Sequence, residues 1–571
     1  MRFPRIPRRS IGSLLFTAGF FALYLSVFRS NYIVNDDITM ISLASGYLGG
    51  KPIPFLVFSN VLLGFLLNPL YSIHSSLNWE IWLFIAVNFL SVWALVYVAL
   101  TRPLPTIYRF AGILAVLSGD GYFLTNITFT TIAAFAALAG FCIILMTAYA
   151  PAPLPRRAWM YGSLLILIGS LIRIESVLLI FLAILPAVLI ALRIFNVKTL
   201  TVSLAVTGIL VGGGYAFDRI YVSLHPDWNA YYAFNQVRGV IQDTPRADWQ
   251  NIGGVLPDVG WSKNDYKMFR EWFFLDRKVY SYSKLQYLAE HAYGAQRNLA
   301  SALQQYFDLH HIVNDNGTPV YLLIIAATWM LALFQRRLRR AIPMLAALIA
   351  SPLLLILYLV WRERVPLHVW YSFLVAIELL GLCALSWHAN VSKFYAPAET
   401  TERFSRAAAF IFLVMISVSL AVVLNHASIA TKSNLAKESR YHEILADLDA
   451  LQVQGKIPAN ALILSPMNGI PVEWSNPLIL DWPKVQYFQM EWLTFSPIYD
   501  SVLRNHGVQS LPAEIYQKDN IYLITQTDLI PAILEFMKYR EGVDVRTKII
   551  YGTSDYLSSF RELALYRLVQ R

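Results

Sequence analysis

The sequence predicts an α-helical membrane protein with about eleven transmembrane helices and a C-terminal α/β domain outside the membrane. Of its 571 residues, 57% are hydrophobic and only 14% are charged, and the mean hydropathy is +0.49. A soluble protein carries roughly a quarter charged residues. Apolar runs of roughly twenty residues, the length of a membrane span, recur along the chain. These observations exclude a soluble globular protein.

The first span is expected over residues 11–29, after a basic N-terminus with Arg2, Arg5, Arg8 and Arg9. The run lacks a small-residue cleavage site, so we interpret it as a span rather than a cleaved signal peptide. Because positive charges favour the cytoplasmic side, the N-terminus is predicted to be cytoplasmic and the residues after this span to lie outside.

The remaining spans are placed so that the clusters of Arg and Lys fall inside. An apolar stretch at 54–73 is interrupted by asparagines and a proline, so we expect interfacial helices on the outer face. The run at 159–192 is roughly 50 Å long as one helix, too long for one crossing, and is expected to form a hairpin that turns near 170–176. Single spans are expected at 79–100, 127–149, 200–222, 319–334 and 407–424, and one more ends before Gly119-Asp120-Gly121. A second hairpin is expected over 341–387, with its turn at WRERVP.

Three segments are predicted outside the membrane. Outer loop 1 covers 31–78, and a polar, aromatic outer loop covers 223–318. The region 1–424 forms the membrane module, and 425–571 forms the α/β domain. In this domain LAKESRYHEILADLDAL and LIPAILEFMKYR have helical patterns, while ALILSP and IYLIT are typical of buried strands.

The formal net charge of +10 follows from the membrane topology, because the cations cluster in the predicted inner loops. Nucleic acid is therefore not an expected partner, whereas membrane lipids are.

Several charges on the outer face are not explained by topology. They are Asp36 and Asp37 after the first span, Asp120 after the third, Arg173 and Glu175 in the first hairpin turn, and Arg362, Glu363 and Arg364 in the second. Each charge costs roughly 2.5–3.5 kcal/mol if it lies deep in the bilayer. Carboxylates and arginines from three distant parts of the chain are thus expected at the same depth.

This combination suits sugar transfer from a lipid carrier. An acceptor hydroxyl or amine needs a carboxylate to take its proton, and a departing polyprenyl phosphate needs fixed cations. A second carboxylate could raise the pKa of the first, hold the acceptor, or help to bind a divalent metal ion. No other cofactor is indicated.

Each group also has a structural interpretation. Asn35 or Asp36 could cap the following helix, Arg173 and Glu175 could be an ion pair that fixes the hairpin, and Asp120 could be a turn residue. Arg362 and Arg364 could extend to lipid headgroups.

The arrangement resembles the GT-C glycosyltransferases, multi-span enzymes that use polyprenyl-phosphate sugars, such as protein O-mannosyltransferases and aminoarabinose transferases. The shared features are an inside N-terminus, one span, an outer loop that opens with Asn35-Asp36-Asp37, interfacial helices, further spans and an extracytoplasmic α/β domain. The resemblance implies that Asp36 or Asp37 is the catalytic base. By position, Arg173, Arg362 and Arg364 would bind the lipid phosphate, with Asn35, Asp120, Glu175 and Glu363 in supporting roles.

We therefore expect an inverting glycosyltransferase of a bacterial inner membrane, with the C-terminal domain periplasmic or extracellular. The donor would be a polyprenyl-phosphate monosaccharide and the acceptor a glycan, lipid or protein. The chain lacks a WWDYG motif, so transfer of whole oligosaccharides to asparagine is not expected. The alternatives are a flippase or transporter of lipid-linked sugars and a non-catalytic protein of cell-envelope assembly.

Overall fold

The computed structural model describes residues 8–101, 106–150, 153–244, 248–292, 304, 318–335, 338–362, 366–393, 402–466, 469–552 and 563–571. In chain order the helices are α1 Arg8–Val27, α2 Asn35–Ala44, α3 Val61–Ile73, α4 Trp79–Thr101, α5 Thr106–Thr125, α6 Phe129–Ala148, α7 Ala158–Ile190, α8 Val197–Ser223, α9 Pro226–Gln242, α10 Trp249–Ile252, α11 Lys263–Arg270, α12 Tyr282–His291, α13 Thr318–Phe334, α14 Ile342–Trp361, α15 Leu367–Lys393, α16 Glu402–Val453, α17 Pro497–Asn505, α18 Leu511–Glu514 and α19 Ile530–Arg540. The strands are β1 Asn31–Tyr32, β2 Asn126–Ile127, β3 Leu462–Pro466, β4 Gln486–Met490, β5 Ile521–Gln526, β6 Val545–Gly552 and β7 Leu563–Gln570.

The protein is a helical membrane protein. Within the described residues, eight helices are long and apolar enough to cross a bilayer, namely α1, α4, α6, α7, α8, α14, α15 and α16. Every predicted span coincides with a helix or half-helix, but α5 and α13 are not among these eight. The total of eleven spans therefore stays a prediction.

Helix α7 contains the predicted hairpin. Its residue Arg173 has non-helical φ and ψ angles of −159° and 104°. Before this break, Gly162 packs so closely on α6 that an added Cβ would lie 2.6 Å from the Gly140 oxygen. After it, the rings of Phe181 and Phe141 are 5.8 Å apart. If α7 were straight, Phe181 would lie about 12 Å beyond the first residue of α6 and could not reach Phe141. The chain therefore reverses its direction at Arg173.

The second predicted hairpin is the antiparallel pair α14 and α15. Gly381 of α15 lies against Leu345 of α14, and Val360 and Val369, on either side of the turn, share one apolar cluster. The far end of α15 reaches the C-terminus of α6, where the Tyr149 hydroxyl donates to the Trp387 carbonyl over 2.6 Å. The turn after α14 is therefore at the same end of the bundle as Arg173, which we name the Arg173 end.

Outer loop 1 folds at the Arg173 end without crossing the bundle. β1 pairs in parallel with β2, the short strand that precedes α6, and α2 follows directly. α3 has 13 residues with Pro69 inside, about 20 Å in length, which is too short for a span.

The C-terminal region contains a five-stranded mixed sheet with the order β4-β3-β5-β7-β6. The predicted strands ALILSP and IYLIT are confirmed as β3 and β5, and the predicted helix LIPAILEFMKYR is confirmed as α19. That helix ends before Gly542, whose positive φ of 69° suits glycine. The other three strands were not predicted. α16 has 52 residues and runs through 424–425, so one helix connects the two predicted regions.

The helices of the large loop pack against this sheet domain. Asp265 of α11 accepts hydrogen bonds from Arg540 of α19, and the Asn264 side chain donates to the Ala532 carbonyl over 2.8 Å. Tyr231 of α9 donates to the Trp492 carbonyl. The loop thus holds the sheet domain close to the Arg173 end.

Candidate active site

The acidic pair lies in the first turn of α2, with Val34 at the N-cap and no side-chain cap hydrogen bond. The interpretation that Asn35 or Asp36 caps this helix is therefore wrong. Consecutive helical residues are about 100° apart around the axis, so Asp36 and Asp37 have different surroundings and different chemistry.

Asp37 is fully buried, with 0% of its surface exposed. Its Oδ1 accepts a hydrogen bond of 2.9 Å from the backbone N–H of Phe129, the first residue of α6. Burial, and to a smaller extent repulsion by Asp36, raises the Asp37 pKa to about 8, against the opposing effects of Phe129 N–H, Thr128 and Arg173. Asp37 is thus mostly protonated at neutral pH and connects outer loop 1 to the N-terminus of α6.

Asp36 is half-buried and faces charged groups from two other elements. Burial raises its pKa, Arg173 and Arg238 lower it, and Asp243, just after α9, raises it. Of the two carboxylates, Asp36 is the one that an incoming molecule can reach.

Arg173 is positioned by the reversal of α7. Next to the break, the carbonyls of Leu171 and Ile172 accept hydrogen bonds from Asn60 N (2.9 Å) and Ser59 Oγ (2.8 Å), respectively. The Arg173 guanidinium donates to Thr130 Oγ1 over 2.7 Å and lies 4.5 Å from the centre of the Phe129 ring. The guanidinium is thus held between outer loop 1 and the start of α6.

A polar cleft of about 120 Å³ opens on the other side of Arg173. Its charged residues are Arg173, Glu175, Asp218 and Arg219. Asp218 accepts a hydrogen bond of 2.9 Å from Val61 N at the start of α3. Glu175 and Arg219 are exposed. The structure therefore brings the predicted residues Asp36, Asp37, Arg173 and Glu175 into one region.

The sheet domain adds a carboxylate that sequence reasoning missed. Glu491 is 1% exposed and accepts hydrogen bonds from Asn35, Gln489 and Thr39, the last over 3.2 Å. Burial, followed by repulsion from Asp36, raises its pKa to about 8. Glu491 directly follows β4, which is parallel to β3. Binding sites tend to form at the carboxyl ends of parallel strands, but β4 itself was not predicted, so this signal could not be used.

Three aromatic residues line the region between Asp36 and the cleft. The Phe58 ring is 4.8 Å from Trp492 and 6.2 Å from Phe129, and Trp492 lies beside Asp36. The Arg238 guanidinium lies 4.5 Å from the Trp272 ring centre. Arg238 and Trp492 were also missed, because their sequence surroundings give no sign of a site.

Backbone strain is concentrated around these residues. Among the described non-glycine residues, those with positive φ are Val57 (70°), Trp272 (58°) and Phe495 (68°). Val57 lines the cleft, Trp272 contacts Arg238, and Phe495 closely follows Trp492. Each such residue costs on the order of 1–3 kcal/mol and persists where function requires it.

The other predicted residues are not part of this cluster. Asp120 is fully buried within α5, which continues to Thr125, and it accepts a hydrogen bond from Asn88. The prediction that Asp120 lies in an outer turn is therefore wrong. Arg362 is exposed at the C-terminus of α14, and within the described residues no hydrogen bond or ion pair joins it to Asp36. Glu363 and Arg364 lie outside the described residues.

The possible divalent metal ion has no evident ligand set in the described part of the chain. There, no group of three His, Cys, Asp or Glu side chains is placed to hold a metal ion. The carboxylate cluster is instead arranged around hydrogen bonds and arginines.

Comparison of the whole chain with protein-family models, curated proteins and solved structures gives no match.

Proposed function

We propose that the protein is an inverting glycosyltransferase of the GT-C type, which moves a monosaccharide from a polyprenyl-phosphate donor to a glycan, lipid or protein acceptor. The observation that carries this proposal is the placement of the half-buried Asp36 within electrostatic range of Arg173 at one end of the helical bundle. A proton acceptor next to a fixed guanidinium is what attack on a sugar phosphate requires.

The cleft supports a lipid donor. Its two arginines, Arg173 and Arg219, suit a phosphate. The face of α8 that carries Asp218 and Arg219 also presents Val211 and Tyr215 to the cleft, which suit the apolar chain of the carrier. A polyprenyl phosphate would enter sideways from the membrane, with its phosphate at Arg173 and its chain along α8.

In the proposed reaction the acceptor oxygen or nitrogen attacks the anomeric carbon and forms the new glycosidic bond. Asp36 takes the acceptor proton. The bond between the anomeric carbon and the phosphate oxygen breaks, its electron pair stays on the phosphate, and Arg173 balances the resulting charge. Attack opposite the leaving group inverts the anomeric configuration, and no covalent enzyme intermediate is needed.

The two other carboxyls have supporting roles in this proposal. Asp37 holds α2 to α6, and Glu491 holds Asn35 and Thr39 from the side of the sheet domain. The proposed setting is a bacterial inner membrane with a cytoplasmic N-terminus, so that the Arg173 end and the sheet domain face the periplasm or the exterior.

The test is incubation of the purified protein with a panel of polyprenyl-phosphate monosaccharides and extracted envelope glycans and lipids. The proposal predicts transfer of at least one sugar, with inverted anomeric configuration in the product. Absence of transfer for every donor, or retention of configuration, would contradict it.

A transporter of lipid-linked sugars is a second candidate, because carboxyls also lie within the bundle. Glu378, near the middle of α15, is 0% exposed, and neither of its oxygens has a hydrogen-bond partner among the described residues. Ionisable residues inside a membrane are often functional. Movement of a labelled carrier lipid across proteoliposomes, lost in Glu378→Gln and without sugar transfer, would favour this candidate.

A further inference from the structure

A second polar cavity, which we name the junction pocket, lies where the helical bundle meets the sheet domain. Its volume is about 390 Å³, compared with about 120 Å³ for the cleft at Arg173. Its walls come from the end of α1, β1, the end of α5, the start of α15, residues 426–438 of α16 and residues 473–476 of the sheet domain. From its lining we propose that the junction pocket binds an uncharged, hydroxyl-rich saccharide.

The lining is rich in groups that can both donate and accept hydrogen bonds. Four asparagines and two serines take part: Asn31, Asn126, Asn434, Asn476, Ser30 and Ser475. Amides and hydroxyls match sugar hydroxyls, which have the same double capacity. The Oδ1 atom of Asn31 is buried without a hydrogen-bond partner among the described residues, which a ligand hydroxyl could supply.

The charges of the junction pocket favour an uncharged ligand. Two cations, Arg29 and Lys437, are matched by two carboxylates, Glu438 and Glu473. Lys437 lowers the Glu473 pKa against the larger effect of burial, which raises it, so these two groups lie within electrostatic range of each other. An anionic ligand would be repelled by both carboxylates, and a cationic ligand would be repelled by both cations.

Flat rings form part of the wall. Tyr122 and His426 stack with ring centres 5.7 Å apart, and Trp474 lines the side formed by the sheet domain. Ring faces and edges can pack against the C–H surfaces of a sugar, while hydroxyls bond to the amides. Binding pockets generally combine such apolar walls with a few placed polar groups.

Two residues that line the junction pocket interact electrostatically with residues of the candidate active site. Tyr32 lines the pocket, and Asp37 contributes to raising the pKa of the Tyr32 hydroxyl. Glu473 likewise raises the pKa of Glu491. The proposal needs no sugar transfer, but a saccharide held here would lie close to the candidate active site.

The test measures binding to the full-length protein in detergent by saturation-transfer NMR and calorimetry. The probes are glucose, galactose, mannose, N-acetylglucosamine and their disaccharides, with glucuronate and inorganic phosphate as anionic probes. Asn434→Leu fills part of the pocket, and Glu438→Gln removes one carboxylate. The matched control is Asn425→Leu, since Asn425 lies on the same helix and is exposed.

We expect at least one uncharged saccharide to bind, and its affinity to fall about tenfold or more in Asn434→Leu but not in Asn425→Leu. If Asn434→Leu unfolds, Lys437→Trp, which adds bulk on the same helix, provides the second obstruction of this wall. Failure of every uncharged sugar to bind, binding of the anionic probes only, or equal binding by the pocket and control variants would each overturn the proposal. Saccharide binding that persists in Asp36→Asn separates this proposal from the transferase reaction.

Discussion

Replacing Asp36 with asparagine removes a proton acceptor without changing the size of the side chain. General base catalysis contributes about 10²–10⁴-fold, so the rate of sugar transfer in Asp36→Asn should fall at least about 100-fold, or roughly 2.7 kcal/mol in activation free energy. The half-buried position of Asp36 and its neighbours Arg173 and Arg238 are the reasons for this expectation.

Asp37→Asn is the matched control, because the two positions are adjacent and the chemical change is identical. Asparagine keeps an oxygen that can accept the Phe129 N–H. With a pKa of about 8, the Asp37 carboxyl is roughly ten to one protonated at pH 7, so a neutral amide changes little. Transfer should stay within about tenfold of wild type, a smaller loss than that expected from removing a general base.

Both variants are assayed with the donor that wild type uses, at saturating and limiting concentrations, after their melting temperatures have been compared. Retained transfer in Asp36→Asn would refute the assignment of the base. A large loss in Asp37→Asn with a normal melting temperature would show that the roles of the two residues are reversed.

Three further predictions address the surrounding residues. Arg173→Ala should weaken binding of polyprenyl phosphate at least about tenfold, as expected when a charge-assisted hydrogen bond is lost. The exposed Arg362→Ala should bind like wild type, and equal losses in both variants would contradict the assigned site. For Glu491, a folded pKa of about 8 lies above the unfolded value, so the ionised carboxylate of the unfolded chain must take up a proton on folding, and this costs stability as the pH rises toward 8. Glu491→Gln should therefore melt higher relative to wild type at pH 9 than at pH 6, and a difference independent of pH would be evidence against this burial. Asp120→Asn keeps the oxygen that accepts the hydrogen bond from Asn88. The rate of sugar transfer should therefore stay within about threefold of wild type, a much smaller loss than removal of a general base would cause. Abolished transfer would instead show that Asp120 takes part in the reaction.

The elements that sequence predicted correctly depend on length and periodicity. The hairpin in α7 follows because 33 residues exceed one bilayer crossing, and β3 and β5 follow from short apolar runs with flanking turn signals. Asp120 was misplaced because glycines on both sides suggest a turn in water. Inside a helical bundle, backbone groups need helical hydrogen bonds, and this requirement overrides the glycine signal.

Only part of the candidate site could be predicted from the sequence, and the reason is related. Asp36, Asp37 and Arg173 stand out because charges next to apolar runs are costly and therefore visible. Glu491 and Arg238 are single charges in segments of mixed apolar and polar residues, where they do not mark a membrane boundary. Their approach to α2 depends on how the large loop and the sheet domain pack, which local sequence patterns do not encode.

The central claim is that Arg173 and Asp36 form one site for a lipid phosphate and its sugar. The most direct measurement is a cryo-EM structure of the full-length protein in nanodiscs loaded with polyprenyl phosphate. The account predicts phosphate density within hydrogen-bonding distance of the Arg173 guanidinium and beside Asp36, with the lipid chain along α8. Phosphate density elsewhere, for example within the bundle near Glu378, would contradict it.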